Sequence, residues 1–306
     1  MNQKRETMAD NETIRIQITQ RSVFAKRLPL DVILGADLQY GYYDGPRLKR
    51  GEKDPHYLVA YHPERIGRGI RVLWNEEEYR DVILDLPLPA AQEEIEDLFA
   101  MTERIRHLWT GAVTVNRKPI ATNHLDNVRN NLITFNLRFL HGVMRGILNE
   151  DGWASLSCAM HRLVVGPQEA DEMWAGIYTD KFRDWLHSHQ NISVYLPVPR
   201  LYMERDSDRT VGIVTLPAGV RVVWENDPSA LLRFSDKHGQ QVDDWRCALY
   251  DTDGKKIVGT VPYERVLKAL PQWKKEYFDY GRTLVNPLDT EMLTELMEKN
   301  DRPAEG

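Results

Sequence analysis

The sequence predicts an α+β fold in which mixed and antiparallel sheets pack against helices, with one long central helix. Three observations support this prediction. Strand-like and helix-like segments alternate irregularly, hairpin signals occur in both halves, and one uninterrupted stretch of about 26 residues, roughly seven turns, keeps helical spacing. A doubly wound parallel sheet would instead show a regular succession of strand and helix, so this class is disfavoured.

The first third of the chain predicts a sheet followed by a helix. Ile14, Ile16 and Ile18 alternate with polar residues, which is typical of a half-buried strand. A short helical turn is predicted over 28–34, and the glycines and aspartate of 41–45 predict a loop. Further strands are predicted over 56–61, 70–74, 80–86 and 112–115. An amphipathic helix is predicted over 90–109, and its first turns are crowded with acidic residues that suit the helix dipole.

The central helix is predicted over 123–148. Its apolar residues recur at helical spacing, so Leu132, Phe135, Phe139 and Val143 are expected to be buried. The apolar face is wide, which indicates packing on more than one side.

The second half repeats the mixture of strands and helices. Gly166-Pro167 is a typical helix start, and Asp251-Thr-Asp-Gly254 predicts a hairpin turn rather than a calcium loop, because its glycine comes too early. Strands are predicted over 155–165, 193–202, 211–215, 220–224, 242–250 and 256–261. Helices are predicted from 166 to about 187 and over 263–270 and 289–299.

The predicted organisation is a disordered tail over 1–12, an α+β domain over 13–120, a second α+β domain over 121–299 and a disordered tail over 300–306. The boundary between the domains lies near residue 120 or near residue 150. The alternative is that both parts form one compact unit.

Composition restricts the partners and the compartment. The formal net charge of −6 disfavours non-specific nucleic-acid binding. No stretch is apolar for the roughly 18 residues that a membrane span needs, and the polar start does not resemble a signal peptide. Cys158 and Cys247 are far apart and match no metal-binding spacing, so both are expected to be reduced and unlinked, as in a cytoplasmic protein.

The densest local pattern is His62-Pro-Glu-Arg-Ile-Gly-Arg-Gly-Ile70. Arg65, Gly67, Arg68 and Gly69 could form an anion-binding turn, because glycine lets a ligand approach the backbone and arginine binds carboxylate or phosphate groups. The alternative is a tight connection whose arginines pair with nearby acids. In either case Gly67 or Gly69 is expected to adopt a backbone conformation that other residues disfavour.

Other polar groupings are weaker signals. Asp184 and His187 share a helix face, but no third metal ligand is in view, so no metal and no cofactor are predicted. The basic stripe of Arg138, His141 and Arg145 predicts a solvated helix face. Three residues near His161 could act as nucleophiles, although no triad pattern surrounds them. They are Ser155, Ser157 and Cys158.

The chain resembles a bacterial family of proteins about 300 residues long that is known only as a domain of unknown function. The motifs that carry the resemblance are the 61–70 tract, Leu84-Asp-Leu-Pro-Leu-Pro89, Val198-Pro-Arg-Leu-Tyr202, Trp245-Arg-Cys-Ala-Leu-Tyr250 and Val261-Pro-Tyr263. The resemblance covers about 13–299. It implies a bacterial cytoplasmic protein and no particular activity, cofactor or catalytic residue.

Two hypotheses about function follow. The favoured one is a non-enzymatic binding or protein-interaction module whose partner is an unidentified protein, with neither nucleic acid nor membrane as a partner. The alternative is an enzyme or small-molecule binder that acts on an anionic ligand held by Arg65 and Arg68. The sequence leaves enzymatic activity uncertain and leans against it.

Overall fold

The structure is a computed structural model. It describes residues 6–7, 12–21, 26–45, 47–74, 80–174, 178–205, 207–232 and 239–298. Most of the two predicted tails, over 1–12 and 300–306, lies outside the described residues. Within the first of them, Glu6–Thr7 forms strand β1, where disorder was predicted.

The chain divides into two compact units, residues 1–192 and residues 193–306. The positions near 120 and near 150, where the sequence suggested a boundary, both lie inside the first unit. Residue 120 nevertheless marks a structural change, because the large sheet of the first unit ends at Ile120.

The first unit contains an eight-stranded sheet in which every neighbouring pair is antiparallel. Its strands are β2 (Thr13–Thr19), β3 (Gln39–Asp44), β4 (Arg47–Arg50), β5 (Tyr57–Tyr61), β6 (Ile70–Trp74), β7 (Asp81–Pro87), β8 (Ala112–Val115) and β9 (Lys118–Ile120). Their spatial order is β4-β3-β5-β6-β7-β2-β8-β9. The alternation of β2 buries its three isoleucines in the core.

Helices α1 (Leu30–Leu34) and α2 (Gln92–Trp109) pack with this sheet. The apolar stripe of α2 lies in the same core as the isoleucines of β2. The rest of the first unit contains helices α3 (Leu125–Glu150), α4 (Pro167–Trp174) and α5 (Tyr178–Gln190), and strands β10 (Trp153–Leu156) and β11 (Leu163–Val165). β10 pairs with both β1 and β11.

The long helix α3 was predicted correctly, but its buried face was not. Val143 is buried as expected, whereas Leu132 and Phe139 are only partly buried and Phe135 is 44% exposed. The buried residues of α3 are Leu125, Asn136, Leu140, Val143, Met144 and Ile147. The apolar residues of α3 occupy much of its circumference, so their spacing in the sequence could not show which of them would face the core.

The described part of the second unit contains two sheets and two α-helices. β12 (Arg200–Met203), β13 (Thr210–Pro217), β15 (Asp244–Asp251) and β16 (Lys256–Pro262) form a mixed sheet in that order, with β13 and β15 parallel. β14 (Val222–Glu225), β18 (Arg282–Val285) and β17 (Lys275–Asp279) form an antiparallel sheet in that order. The helices are α6 (Tyr263–Ala269) and α7 (Thr290–Glu298).

The α+β prediction is confirmed, and three local predictions are wrong. The predicted loop over 41–45 lies mainly in strand β3, whose tyrosines are common in strands. The predicted strand over 155–165 is interrupted between β10 and β11, and most of the predicted strand over 193–202 is irregular before β12. The predicted hairpin around Asp251–Gly254 is confirmed by the antiparallel pairing of β15 with β16.

Candidate functional site

Arg65 and Arg68 lie in the connection between β5 and β6, and Arg68 stands between Gly67 and Gly69. Gly69 has a φ of +78°, so the predicted unusual backbone conformation is confirmed at this position. A Cβ atom at Gly69 would also lie 2.8 Å from Val59 Cγ1 and 3.0 Å from Ala159 Cβ. The turn therefore requires glycine at position 69 for both its backbone angle and its close packing.

The carboxylate of Glu94, from the first turn of α2, fills the space beside these glycines. Glu94 Oε1 accepts a hydrogen bond of 2.9 Å from Gly69 N, and Oε2 accepts one of 3.1 Å from Ala91 N. The same carboxylate occupies the space that a Cβ atom at Gly67 would need. Burial raises the pKa of Glu94, while the two backbone hydrogen bonds and the nearby Arg68 charge oppose that rise.

Arg68 points into the interior and is only 2% exposed. Its Nε donates to the carbonyl oxygen of Ser157 at 2.7 Å, and Nη1 donates to the carbonyl oxygen of Pro89 at 2.9 Å. A backbone hydrogen bond also joins the segment after β10 to the turn, because Ala159 N donates to the carbonyl oxygen of Gly67 at 2.9 Å. Arg68 thus cross-links the turn, the start of α2 and the 157–159 segment.

Arg65 lies nearer the surface and faces a different acid. Its Nη2 is 3.6 Å from Asp97 Oδ2, and both side chains are partly exposed. Burial raises the pKa of Asp97, and the charges of Arg65 and His62 act in the opposite direction. The two arginines that the sequence placed in one anion site therefore have separate surroundings.

His187 on α5 lies near the charges of Arg65 and Glu93. Its Nε2 is buried and has no hydrogen-bond partner among the described residues. Burial lowers the pKa of His187, the charges of Arg183 and Arg65 lower it further, and the charge of Glu93 opposes them, so the neutral imidazole is favoured. Arg183 Nη1 also lies 3.5 Å from Glu93 Oε1, and the Arg183 guanidinium donates hydrogen bonds to Asp180 and Asp184.

Acids of the protein itself explain why the turn has the residues typical of an anion-binding site. The glycines and arginines of the turn do face carboxylates, and these belong to Glu94 and Asp97 of the protein's own helix α2. Sequence reasoning missed both acids, because it assigned the acidic first turns of α2 only to the helix dipole. An external anion held by Arg65, Gly67, Arg68 and Gly69 stays a prediction.

The other polar groupings do not assemble into a recognised site. Ser157 and His161 do not share a strand face, since both lie between β10 and β11. His161 Nε2 contacts the carbonyl oxygen of His189, and Ser155 Oγ accepts from Arg162 at 2.9 Å. Across the residues that the structure describes, no group of three His, Cys, Asp or Glu side chains could hold a metal ion. Cys158 and Cys247 are buried and not linked by a disulfide bond, as predicted.

The second unit carries a different kind of candidate site, an exposed apolar strand edge. Within the described strands, β12 pairs with β13 alone and ends its sheet. Tyr202 is 50% exposed and Met203 is 73% exposed, and Val198 just before the strand is also exposed. Such an edge presents apolar side chains beside backbone groups that can pair with another chain.

Substituting Gly69 by alanine is expected to lower the free energy of unfolding by about 2–4 kcal/mol, because the new Cβ adds backbone strain and crowds Val59. Gly142 on α3 is the matched control, since nothing lies within 4 Å of a Cβ atom there. Gly142→Ala should stabilise the protein by about 0.5–1 kcal/mol through higher helix propensity. Urea denaturation measures both changes, and an unchanged midpoint for Gly69→Ala would contradict this account of the turn.

The fold and the two sites define a two-unit α+β protein with an internally neutralised charged turn and an exposed strand edge. Residues 13–296 match the family described as a domain of unknown function, DUF4299, and the chain belongs to this family. No curated protein and no solved structure matches the chain. In the part of the chain that the structure describes, no helix is long and apolar enough to cross a membrane.

Proposed function

We propose that this protein is a non-enzymatic interaction module of the cytoplasm, and that strand β12 binds an extended segment of a partner protein. The observation that carries the proposal is the exposure of Tyr202 and Met203 on a strand that ends its sheet. Extended peptides bind such edges by adding a strand, with main-chain hydrogen bonds giving affinity and alternate side chains giving specificity. Two cysteines without a disulfide bond suit the reducing conditions of the cytoplasm.

The backbone of β12 supports this mode of binding. Glu204 N donates to the carbonyl oxygen of Arg209 at 3.0 Å, which makes these two residues a hydrogen-bonded pair at the end of the hairpin. Hydrogen-bonded and non-hydrogen-bonded pairs alternate along antiparallel strands, so Met203, opposite Thr210, belongs to a non-hydrogen-bonded pair. The N–H and C=O of Met203 therefore point away from β13, towards the open edge.

The charged turn of the first unit supports the choice of a binding module over the anionic-ligand alternative. Arg68 already donates to two backbone carbonyl groups, and Arg65 already faces Asp97. An external anion would have to compete with carboxylates that the fold holds in place. The exposed strand edge requires no such displacement.

Met203→Pro tests the proposal because proline removes the outward N–H that a partner strand would use, while the ladder to β13 does not need this group. Met203→Ala is the matched control, since it shortens the same side chain and keeps the N–H. The three proteins are immobilised and exposed to a lysate of the producing cell, and captured proteins are quantified by mass spectrometry. We expect a partner that the wild type and Met203→Ala retain and that Met203→Pro loses.

A second measurement locates the contact. The captured partner is added to the wild-type protein, and hydrogen exchange of the backbone amides is followed. Strand addition should slow exchange in 200–203 more than elsewhere in the second unit, because new main-chain hydrogen bonds form there. Equal capture by all three proteins, or protection that leaves β12 unchanged, would overturn the proposal. Light scattering of the protein alone distinguishes a partner protein from a second copy of this chain.

A further inference from the structure

Helix α3 of the first unit has an exposed face that none of the features above uses. An exposed stripe runs along it, formed by Phe135, Arg138, Gly142 and Arg145, which are three, four and three positions apart. With 3.6 residues in each helical turn, this spacing places all four residues on one side of the helix. The buried residues of α3 lie on the opposite side, so the stripe faces solvent.

Exposed aromatic rings lie in this stripe and at its margins. Phe135 is 44% exposed and stacks on Phe139, with the two ring centres 6.2 Å apart. At the other margin, Trp174 of α4 is 38% exposed and stacks on His141, with ring centres 4.3 Å apart. Aromatic residues are enriched at the centres of protein interfaces and carry much of their binding energy. The apolar surface of α3 that the fold leaves exposed is therefore suited to a partner.

The stripe carries positive charge. Arg138 and Arg145 are exposed, and neither side chain has an ion pair or a hydrogen bond with a described residue. No acid occurs in the sequence from 127 to 149, although 46 of the 306 residues of the chain are acidic. The neighbouring helix α4 has two exposed acids, Asp171 and Glu172, and neither pairs with these arginines. Two guanidinium groups are therefore available to a negatively charged partner.

The spacing of the two arginines matches that of acids on a second helix. Arg138 and Arg145 are seven positions apart, which is about 10.5 Å along the helix axis. Two carboxylates seven positions apart on a partner helix have the same separation, so each could pair with one guanidinium group. Between the arginines, nothing lies within 4 Å of a Cβ atom at Gly142. A second helix can approach closely at this point, because the distance between packed helices depends on the side chains at their contact.

We propose that this face of α3 binds an acidic amphipathic helix of a partner protein. Apolar residues of the partner would pack against Phe135, Gly142 and Trp174. Its carboxylates would pair with Arg138 and Arg145. A second copy of this chain is disfavoured as the occupant, because it would bring four arginines together on a stripe that has no acid. The proposal does not depend on the interaction of β12, because every residue it uses belongs to the first unit.

Fluorescence anisotropy with three labelled peptides of equal length tests the chemistry of the partner. The first is a helix of about three heptads, with leucine at the a and d positions and glutamate at e and g. The second has lysine in place of these glutamates, and the third is a scrambled form of the first that keeps its charge but has no apolar seam. We expect the acidic helix to bind at least about tenfold more tightly than either control peptide. Absence of binding by the acidic helix, or equal binding by either control peptide, would overturn the proposal.

Surface variants test the position of the site without disturbing the core. Arg138→Gln and Arg145→Gln remove the charge and keep a polar side chain, and each should weaken binding of the acidic helix by about three- to tenfold. Arg117→Gln is the matched control, since Arg117 is also exposed and lies in the turn between β8 and β9. If both α3 variants bind as tightly as Arg117→Gln, the peptide binds elsewhere and this face is not its site.

Two further measurements test the other possible occupants. Sedimentation velocity of the protein alone detects a dimer, and a dimer that Phe135→Ser dissociates would assign the face to a second copy. A labelled oligouridine that binds more tightly than the acidic helix, and is lost in Arg138→Gln, would assign it to RNA. Either result would overturn the proposal, and a monomer that prefers the acidic helix supports it. Met203→Pro should bind the peptide like the wild type, because β12 belongs to the second unit.

Discussion

Arg68→Ala is expected to lower the free energy of unfolding by about 3–5 kcal/mol, because it leaves the carbonyl oxygens of Ser157 and Pro89 without the buried donors that Arg68 supplies and opens a cavity in the interior. It also removes a positive charge near the buried Glu94, which opposes the rise in the pKa of that acid. Arg65→Ala should cost at most about 1 kcal/mol, since the pair of Arg65 and Asp97 is partly exposed to water. Two arginines only three residues apart should therefore differ several-fold in their effect on stability.

Chemical denaturation of both variants measures this difference, and the same proteins decide between the two interpretations of the turn. If Arg65 and Arg68 hold an external anion, both variants should keep the stability of the unliganded wild type. Both should then lose the rise in melting temperature that a bound phosphate or carboxylate gives the wild type. The turn is purely structural if only Arg68→Ala loses much stability and if no anion raises the melting temperature of the wild type. Equal stability of both variants would show that Arg68 does not cross-link the first unit.

Asp279→Ala is expected to produce the second large loss, again about 3–5 kcal/mol, in the second unit. Asp279 is fully buried, and both of its carboxylate oxygens accept hydrogen bonds from Arg282, one of them from Nε at 2.7 Å. Arg282 is also buried, lies 3.9 Å from Glu225 and packs against the ring of Phe278. Removing Asp279 would therefore leave most of a buried guanidinium charge uncompensated.

Asp244→Ala is the control for this prediction. Asp244 pairs with Arg246 at 2.7 Å, but both side chains remain partly exposed, so its loss should change stability by less than about 1 kcal/mol. Hydrogen exchange of the amides in β17 and β18 reports on the second unit without assuming that both units unfold together. Similar exchange rates in the Asp279→Ala and wild-type proteins would refute the proposed role of the buried pair.

Much of the secondary structure follows from local patterns, because periodicity depends only on neighbouring residues. The alternation of Ile14, Ile16 and Ile18 predicted strand β2, and β6 and β8 were predicted with their observed bounds. The hairpin between β15 and β16 followed from the turn residues around Gly254. The family resemblance could also be drawn from motifs alone, and residues 13–296 confirm it.

The tertiary structure decided how the predicted elements use their side chains. Helix α3 was expected to bury Phe135, but the helix turns other residues towards the core, since an apolar face this wide permits several orientations. The candidate anion site shows the same limit: Arg68 and Glu94 are 26 positions apart in sequence, and only packing brings a helix turn against a β-connection. The sequence by itself therefore determined where many of the strands and helices lie and that the turn around Arg68 needs a glycine. Contacts between distant segments decided which charges neutralise one another and which strand remains at a sheet edge. No local pattern encodes such contacts.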